Sequence, residues 1–217
     1  MAVYGRMIGA ALIGSMMLAG CAGDDQLVVD QGVGITTTLS TCPEVAIPVY
    51  TGDVTLFNPQ DSRDASAIDI VAQVTNLRST CNEGTDRLYT EATFDVIARR
   101  QNPNGARTLR LPYFSTVVRG GTAVISKRIG SVTLQFADGD YRASGSGKAG
   151  AFVDRASATL PPDIQERITA RRRSGEQSAA IDPLSLPEVQ SAIQRATFEV
   201  LIGFQLTPDQ LQYNATR

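Results

Sequence analysis

From residue 45 onward the chain repeats one short pattern: apolar and polar residues alternating over 5 to 14 positions, then a turn signal, then alternation again. Period-two alternation puts one face of an extended strand inward and the other in water, and no helix of period 3.6 satisfies it. Val45, Ile47 and Val49 alternate, with Pro48 marking an edge position, and residues 54–57 follow before Asn58-Pro59. Residues 67–80 carry Ile68, Ile70, Ala72, Val74 and Leu77, with Asn76 disturbing the period. Residues 88–100 set Phe94, Val96 and Ala98 against Asp95, Ile97 and Arg99. Asn102-Pro103-Asn104-Gly105 is strong turn punctuation, residues 109–119 read as a strand, and Gly120-Gly121 is a tight connection into a strand over 122–129. Val132, Leu134 and Phe136 alternate again before Asp138-Gly139. Gly145, Gly147 and Gly150 read as a turn or bulge, and residues 152–160 give another strand. Residues 197–206, apolar at Phe198, Val200, Leu201, Ile202 and Phe204, suit a central strand buried on both faces.

Strands every 10 to 15 residues, with no helices alternating between them, specify a mainly β fold: an antiparallel β-sandwich over residues 41–217, immunoglobulin- or fibronectin-like in general architecture. The chain has no Trp, so the signature of a true immunoglobulin domain is missing. A helical insertion is expected at 161–195. Pro161-Pro162-Asp163 begins a helix with an apolar stripe of Ile164 and Ile168, and Pro187 opens a second with Val189, Ala192 and Ile193 on one side. Arg171, Arg172 and Arg173 would sit in the last turn of the first helix. There they either complement its dipole or touch anionic lipid.

Chemistry is narrowed by what is missing. The sequence contains no His, which removes Ser-His-Asp and Cys-His catalysis and the usual catalytic zinc sites. Neither Lys127 nor Lys148 has a Ser three residues before it. Ser146-Gly147-Lys148-Ala149 fails as a phosphate loop, because Arg142 stands where Gly is required and Ala149 where Ser or Thr would bind magnesium. Asp138 with Asp140, and Asp61 with Asp64, offer oxygen ligands but match no calcium loop and read as solvated turns. A net charge of −2 gives no reason to expect a nucleic-acid partner. The expectation is a non-enzyme with no catalytic residue, no metal and no cofactor; a hydrolase built on carboxylates is the remaining catalytic class.

The N-terminus carries the clearest address. Arg6 precedes an apolar run over 7–18, and Leu18-Ala19-Gly20-Cys21 follows. That run fits a signal-peptide core and is shorter than the roughly 20 apolar residues a spanning helix needs. The four residues resemble the lipobox of bacterial lipoprotein precursors. The resemblance implies cleavage between Gly20 and Cys21, a diacylglyceryl group on the Cys21 thiol and acylation of the new amino terminus. The alternative is an ordinary secretory signal in which Cys21 is incidental. Residues 1–20 would be the signal peptide and 21–40 a lipidated, flexible tether, reaching at most ~60 Å if fully stretched. Ala22 rather than Asp follows Cys21, which by the same resemblance favours the outer membrane, facing the periplasm.

With Cys21 lipidated, Cys42 and Cys81 remain as an even pair, and in an oxidising compartment two such thiols are expected to join as a disulfide; two buried free thiols are the alternative. The closing segment "FEVLIGFQLTPDQLQYN" is similar to that of uncharacterised proteobacterial envelope lipoproteins, a resemblance that brings no activity or site residue. Asn214-Ala215-Thr216 matches a glycosylation acceptor by chance in such a setting. Two functions follow as expectations: a membrane-tethered envelope module that binds a protein partner or supports an assembly, and a carrier or chaperone for a lipid or other apolar ligand. A deep apolar cavity would favour the carrier; a solid core with an open apolar edge would favour the binding module.

Overall fold

A computed structural model describes residues 41–170 and 181–217. Residues 1–20 and 21–40, expected as signal peptide and lipidated tether, and Arg171 to Arg173 therefore lie outside the described residues. Eight strands run β1 (Glu44–Ala46), β2 (Asp53–Phe57), β3 (Ile68–Glu83), β4 (Arg87–Arg100), β5 (Arg107–Arg119), β6 (Ala123–Phe136), β7 (Arg142–Asp154) and β8 (Phe198–Phe204). Among the described residues three short α-helices are present, α1 (Pro162–Thr169) and α2 (Pro187–Ala196) between β7 and β8, and α3 (Pro208–Thr216) after β8.

The strands form two four-stranded sheets, β1-β8-β5-β6 and β2-β3-β4-β7. All neighbours are antiparallel except β1 and β8, which run parallel. The chain leaves β4 for the other sheet, builds β5 and β6, returns as β7 beside β4, and crosses again as β8 beside β5. The pairs β4–β7 and β5–β8 are thereby interlocked as the B–E and C–F pairs are in immunoglobulin sandwiches. The β2-β3-β4 meander and the β6 extension are additions to that frame.

Alternation builds the core. In β4 every second residue, Leu88, Thr90, Ala92, Phe94, Val96, Ala98 and Arg100, is buried. They face Leu111, Tyr113 and Val117 of β5, Val132, Leu134 and Phe136 of β6, and Phe198, Val200, Ile202 and Phe204 of β8. Cys42 and Cys81 are joined, with Cα atoms 6.2 Å apart and a separation of 39 positions in sequence. The bridge ties the residues before β1 to the end of β3, and so one sheet to the other.

Several local expectations are corrected. The strand expected at 45–49 ends at Ala46, because Pro48 begins a turn closed by Thr51 N donating to its carbonyl at 3.1 Å. The separate strands expected over 122–129 and 132–136 are one continuous strand, β6, from Ala123 to Phe136. Gly145, Gly147 and Gly150 are no turn; they lie inside β7, which runs on to Asp154. A Cβ on Gly147 would sit 2.4 Å from Phe94 Cζ, and one on Gly150 2.5 Å from Tyr89 Oη, so these glycines make room for rings of β4. Residues 155–158 form a 3-10 turn where a strand was expected. The chain also closes in a helix: Thr207 accepts from Gln210 N while the Gln210 side chain accepts from Thr207 N, a capping box with Pro208 in the first turn.

The helical insertion packs on itself. Ile164 of α1 meets Val189 and Ala192 of α2, with Leu160, Ile168, Leu186 and Ile193 around them. The carbonyl of Arg195 accepts from Arg119 Nε at 2.6 Å, and Gly120 N donates to Thr197 O at 3.0 Å, which fastens this cap to the β5–β6 turn.

Candidate functional site

Each sheet has two edges, and the chain treats them differently. β1 is only three residues long. β2 is backed by α3, whose Tyr213 ring meets Phe57 edge-on at 5.1 Å and whose buried Asn214 amide donates to Tyr50 O and Asp53 O, both at 2.8 Å. The first half of β7 lies against the second half of β6, near enough that a Cβ on Gly145 would be 2.8 Å from Thr133 O. The second half of β7 still buries Ala151 and Val153 on one face, whereas the first half of β6 buries no residue.

Residues 123–129 are exposed at every position, on both faces of the strand. Their register is set by β5 alone among the described residues: Phe114 opposes Ile129, Thr116 opposes Lys127, and Val118 opposes Val124, with an irregularity beside Val117 that makes Ile125 the extra residue. Three large apolar side chains are open there, Val124 at 63%, Ile125 at 56% and Ile129 at 56%. Lys127 lies over the Phe114 ring, 5.3 Å from its centroid. At Gly130 the exposure stops, because the Tyr113 ring occupies the place of its missing side chain. An edge strand presents unpaired backbone N–H and C=O groups, and exposed apolar residues beside them add area to any strand that pairs there.

A second, polar cluster lies on the outer face of the other sheet. Asp95 accepts from Asn76 Nδ2 at 2.7 Å and from Ser146 Oγ at 2.8 Å. These two hydrogen bonds, with Arg78 nearby, hold its carboxyl below the usual carboxylate range. Asn76 takes a left-handed φ of 52° at the point where β3 carries one extra residue against β4. With Thr93 and Lys148 these residues line a shallow depression of about 350 Å³. Another open groove, about 620 Å³, runs beside the β3–β4 turn between Asp86, Arg155, Leu160 and Pro161.

The residues singled out in the sequence fall as follows. Cys42 and Cys81 are brought together; Cys21 lies outside the described residues. Asp138 and Asp140 serve turns, the first accepting from Gly105 N at 2.6 Å and the second offering its carbonyl to Arg100 Nε at 2.6 Å. Among the described residues no three His, Cys, Asp or Glu side chains are grouped to hold a metal ion. Lys148 stands in β7, its carbonyl accepting from the Tyr113 hydroxyl at 2.6 Å. Ile164 and Ile168 cover the small cluster shared with α2, not a crevice in the sandwich. The β6 edge itself was not singled out, although its signal is present: Val124 and Ile125 are adjacent, and Lys127-Arg128 then interrupts the alternation that Val132 resumes. Comparison with protein-family models, with curated proteins and with solved structures gives no match to this chain.

Proposed function

We propose that the chain is a lipid-anchored envelope lipoprotein, held through Cys21 in the outer membrane and facing the periplasm, which acts without catalysis as a protein-binding or assembly module. The observation that carries the binding role is the open first half of β6, seven residues exposed on both faces with Val124, Ile125 and Ile129 among them. The packed core supports the same reading over a carrier: Phe94, Phe136, Phe204, Leu134 and Ile202 are fully buried between the sheets, and the two depressions are open surface grooves. The anchor rests on the lipobox-like Leu18-Ala19-Gly20-Cys21, and the disulfide suits an oxidising compartment.

A photoreactive residue placed at Ile125 and, separately, at Arg99 on the outer face of the other sheet tests this in intact envelopes. A discrete envelope protein crosslinked from Ile125 and not from Arg99 is the expected result; equal capture from both would refute the edge reading. Cys21→Ser moves the protein from the membrane to the soluble periplasmic fraction if the anchor is as proposed.

A further inference from the structure

We infer that the β6 edge takes an extended, acidic segment of another protein, one in which acidic and apolar residues alternate; this rests on the binding role proposed above. The β5–β6 hairpin, from Arg107 to Phe136, contains Arg107, Arg110, Arg119, Lys127 and Arg128 and not one Asp or Glu, in a chain whose net charge is −2. Three of the five cations already have an oxygen acceptor. Arg107 pairs with Asp69 at 2.8 Å, Arg110 donates to Ser131 Oγ at 2.8 Å, and Arg119 reaches Arg195 O. Lys127 and Arg128 remain on the exposed half of β6, and among the described residues neither forms an ion pair. The acidic residue nearest in register is Glu199 of β8, which pairs with Val118 and is separated from β6 by the whole of β5, roughly 10 Å at ordinary strand spacing.

Edge cations also keep strands from pairing with copies of themselves, and that is the bland reading of Lys127 and Arg128. Here they stand beside three open apolar side chains, on a length of strand that, among the described residues, neither the opposite sheet nor a helix covers. Adjacent strand residues point to opposite faces, so Lys127 and Arg128 put one cation on each face of the edge. Val124, Lys127 and Ile129 oppose Val118, Thr116 and Phe114 and so share one face, while Arg128 opposes Ser115 on the other. An alternating strand therefore sets its acidic residues opposite Arg128 and its apolar residues beside Val124 and Ile129 as cross-strand neighbours. A second copy of this chain is a poorer occupant, because two-fold pairing of the edge gathers four cations with no anion among them.

The probe is a seven-residue peptide of alternating Val and Glu with blocked ends, and its twin with Lys in place of Glu, titrated into the full-length chain at low salt while amide exchange over residues 123–129 is followed. The Glu peptide is expected to slow exchange there and to bind about tenfold more tightly than the Lys peptide. Lys127→Glu with Arg128→Glu reverses that order, and Lys127→Gln with Arg128→Gln levels it. Equal binding of the two peptides, or an order that the variants leave unchanged, overturns the acidic preference while leaving the edge as a docking strand. Binding of neither peptide, with exchange unaltered, overturns both. A self-associated chain whose 123–129 amides are protected before any peptide is added overturns the choice of occupant in favour of a second copy.

Discussion

The ring of Phe94 on β4 meets that of Tyr113 on β5 edge-on, with centroids 5.0 Å apart and planes at 82°, and each ring lies over a glycine of the strand beside it. Phe94 is paired in register with Gly147, and Tyr113 with Gly130. A layer of glycine, ring, ring and glycine thus crosses the sandwich from β7 to β6, and the Tyr113 hydroxyl closes it by donating to Lys148 O. Edge-to-face pairs of this kind add about 0.5–1.5 kcal/mol beyond the area they bury. The layer also sets where β6 leaves the body of the protein: on one side of Gly130 the strand packs, and on the other it is open.

Gly147→Val will destabilise the protein, because the new side chain starts 2.4 Å from Phe94 Cζ and the ring is fully buried. Overpacking of this kind costs about 1–3 kcal/mol, read as a lower midpoint in urea. Combining it with Phe94→Leu will recover part of the loss, since the two changes share one space. Simple additivity would contradict the pairing.

Arg100 is 2% exposed, and its guanidinium donates to four backbone carbonyls, those of Asp140, Gly105, Pro103 and Ala137, at 2.5 to 2.8 Å, while stacking on Phe136. It ties the β4–β5 turn to the β6–β7 turn. Arg100→Met leaves those carbonyls without their donor and should cost about 3 kcal/mol. Arg107→Met removes an ion pair that is partly exposed, which is worth under about 1 kcal/mol. Denaturant melts of both variants should therefore separate clearly.

Removing the Cys42–Cys81 bridge, which closes a span of 39 residues, should lower stability by about 4 kcal/mol in the chain-entropy account. Cys42→Ser with Cys81→Ser, melted beside the unreduced parent, measures this. Melts that coincide would show that the bridge restrains nothing.

Asp95 gives a pH-dependent contribution of known sign. Its carboxylate is held by Asn76 first and Ser146 second, so its pKa is lower folded than unfolded. The stabilisation it provides is present above the ordinary carboxylate range and is lost as pH falls through the lowered value. Asn76→Gly keeps the left-handed backbone and removes the amide donor. It should move the Asp95 titration upward by more than Ser146→Ala does, as followed by carboxyl carbon NMR.

Alternation made the sandwich legible. The buried set of β4 can be read off residue by residue, and the crowded apolar run of β8 matches its place between β1 and β5. Glycines were misleading because their use is non-local: Gly147 looks like a turn until Phe94, more than fifty residues earlier, is laid across it. The burial of Arg100 has no local signal, since the four carbonyls that accept from it belong to two separate turns. Helix α3 was visible in Thr207-Pro208-Asp209-Gln210, which has the capping-box spacing, but an apolar stripe too weak to attract attention. The candidate edge escaped for a topological reason. Whether residues 123–129 are covered depends on where β7 and the opposite sheet run, and local pattern does not encode that.

The most direct test of the account is hydrogen exchange of the amides of residues 123–129, compared between the protein in intact envelopes and the same protein purified as a monomer. The account predicts slow exchange in the envelope and fast exchange after purification, with the interior of β4 unchanged between the two. Equally fast exchange in both states would mean that nothing pairs with β6, and would contradict the proposed role.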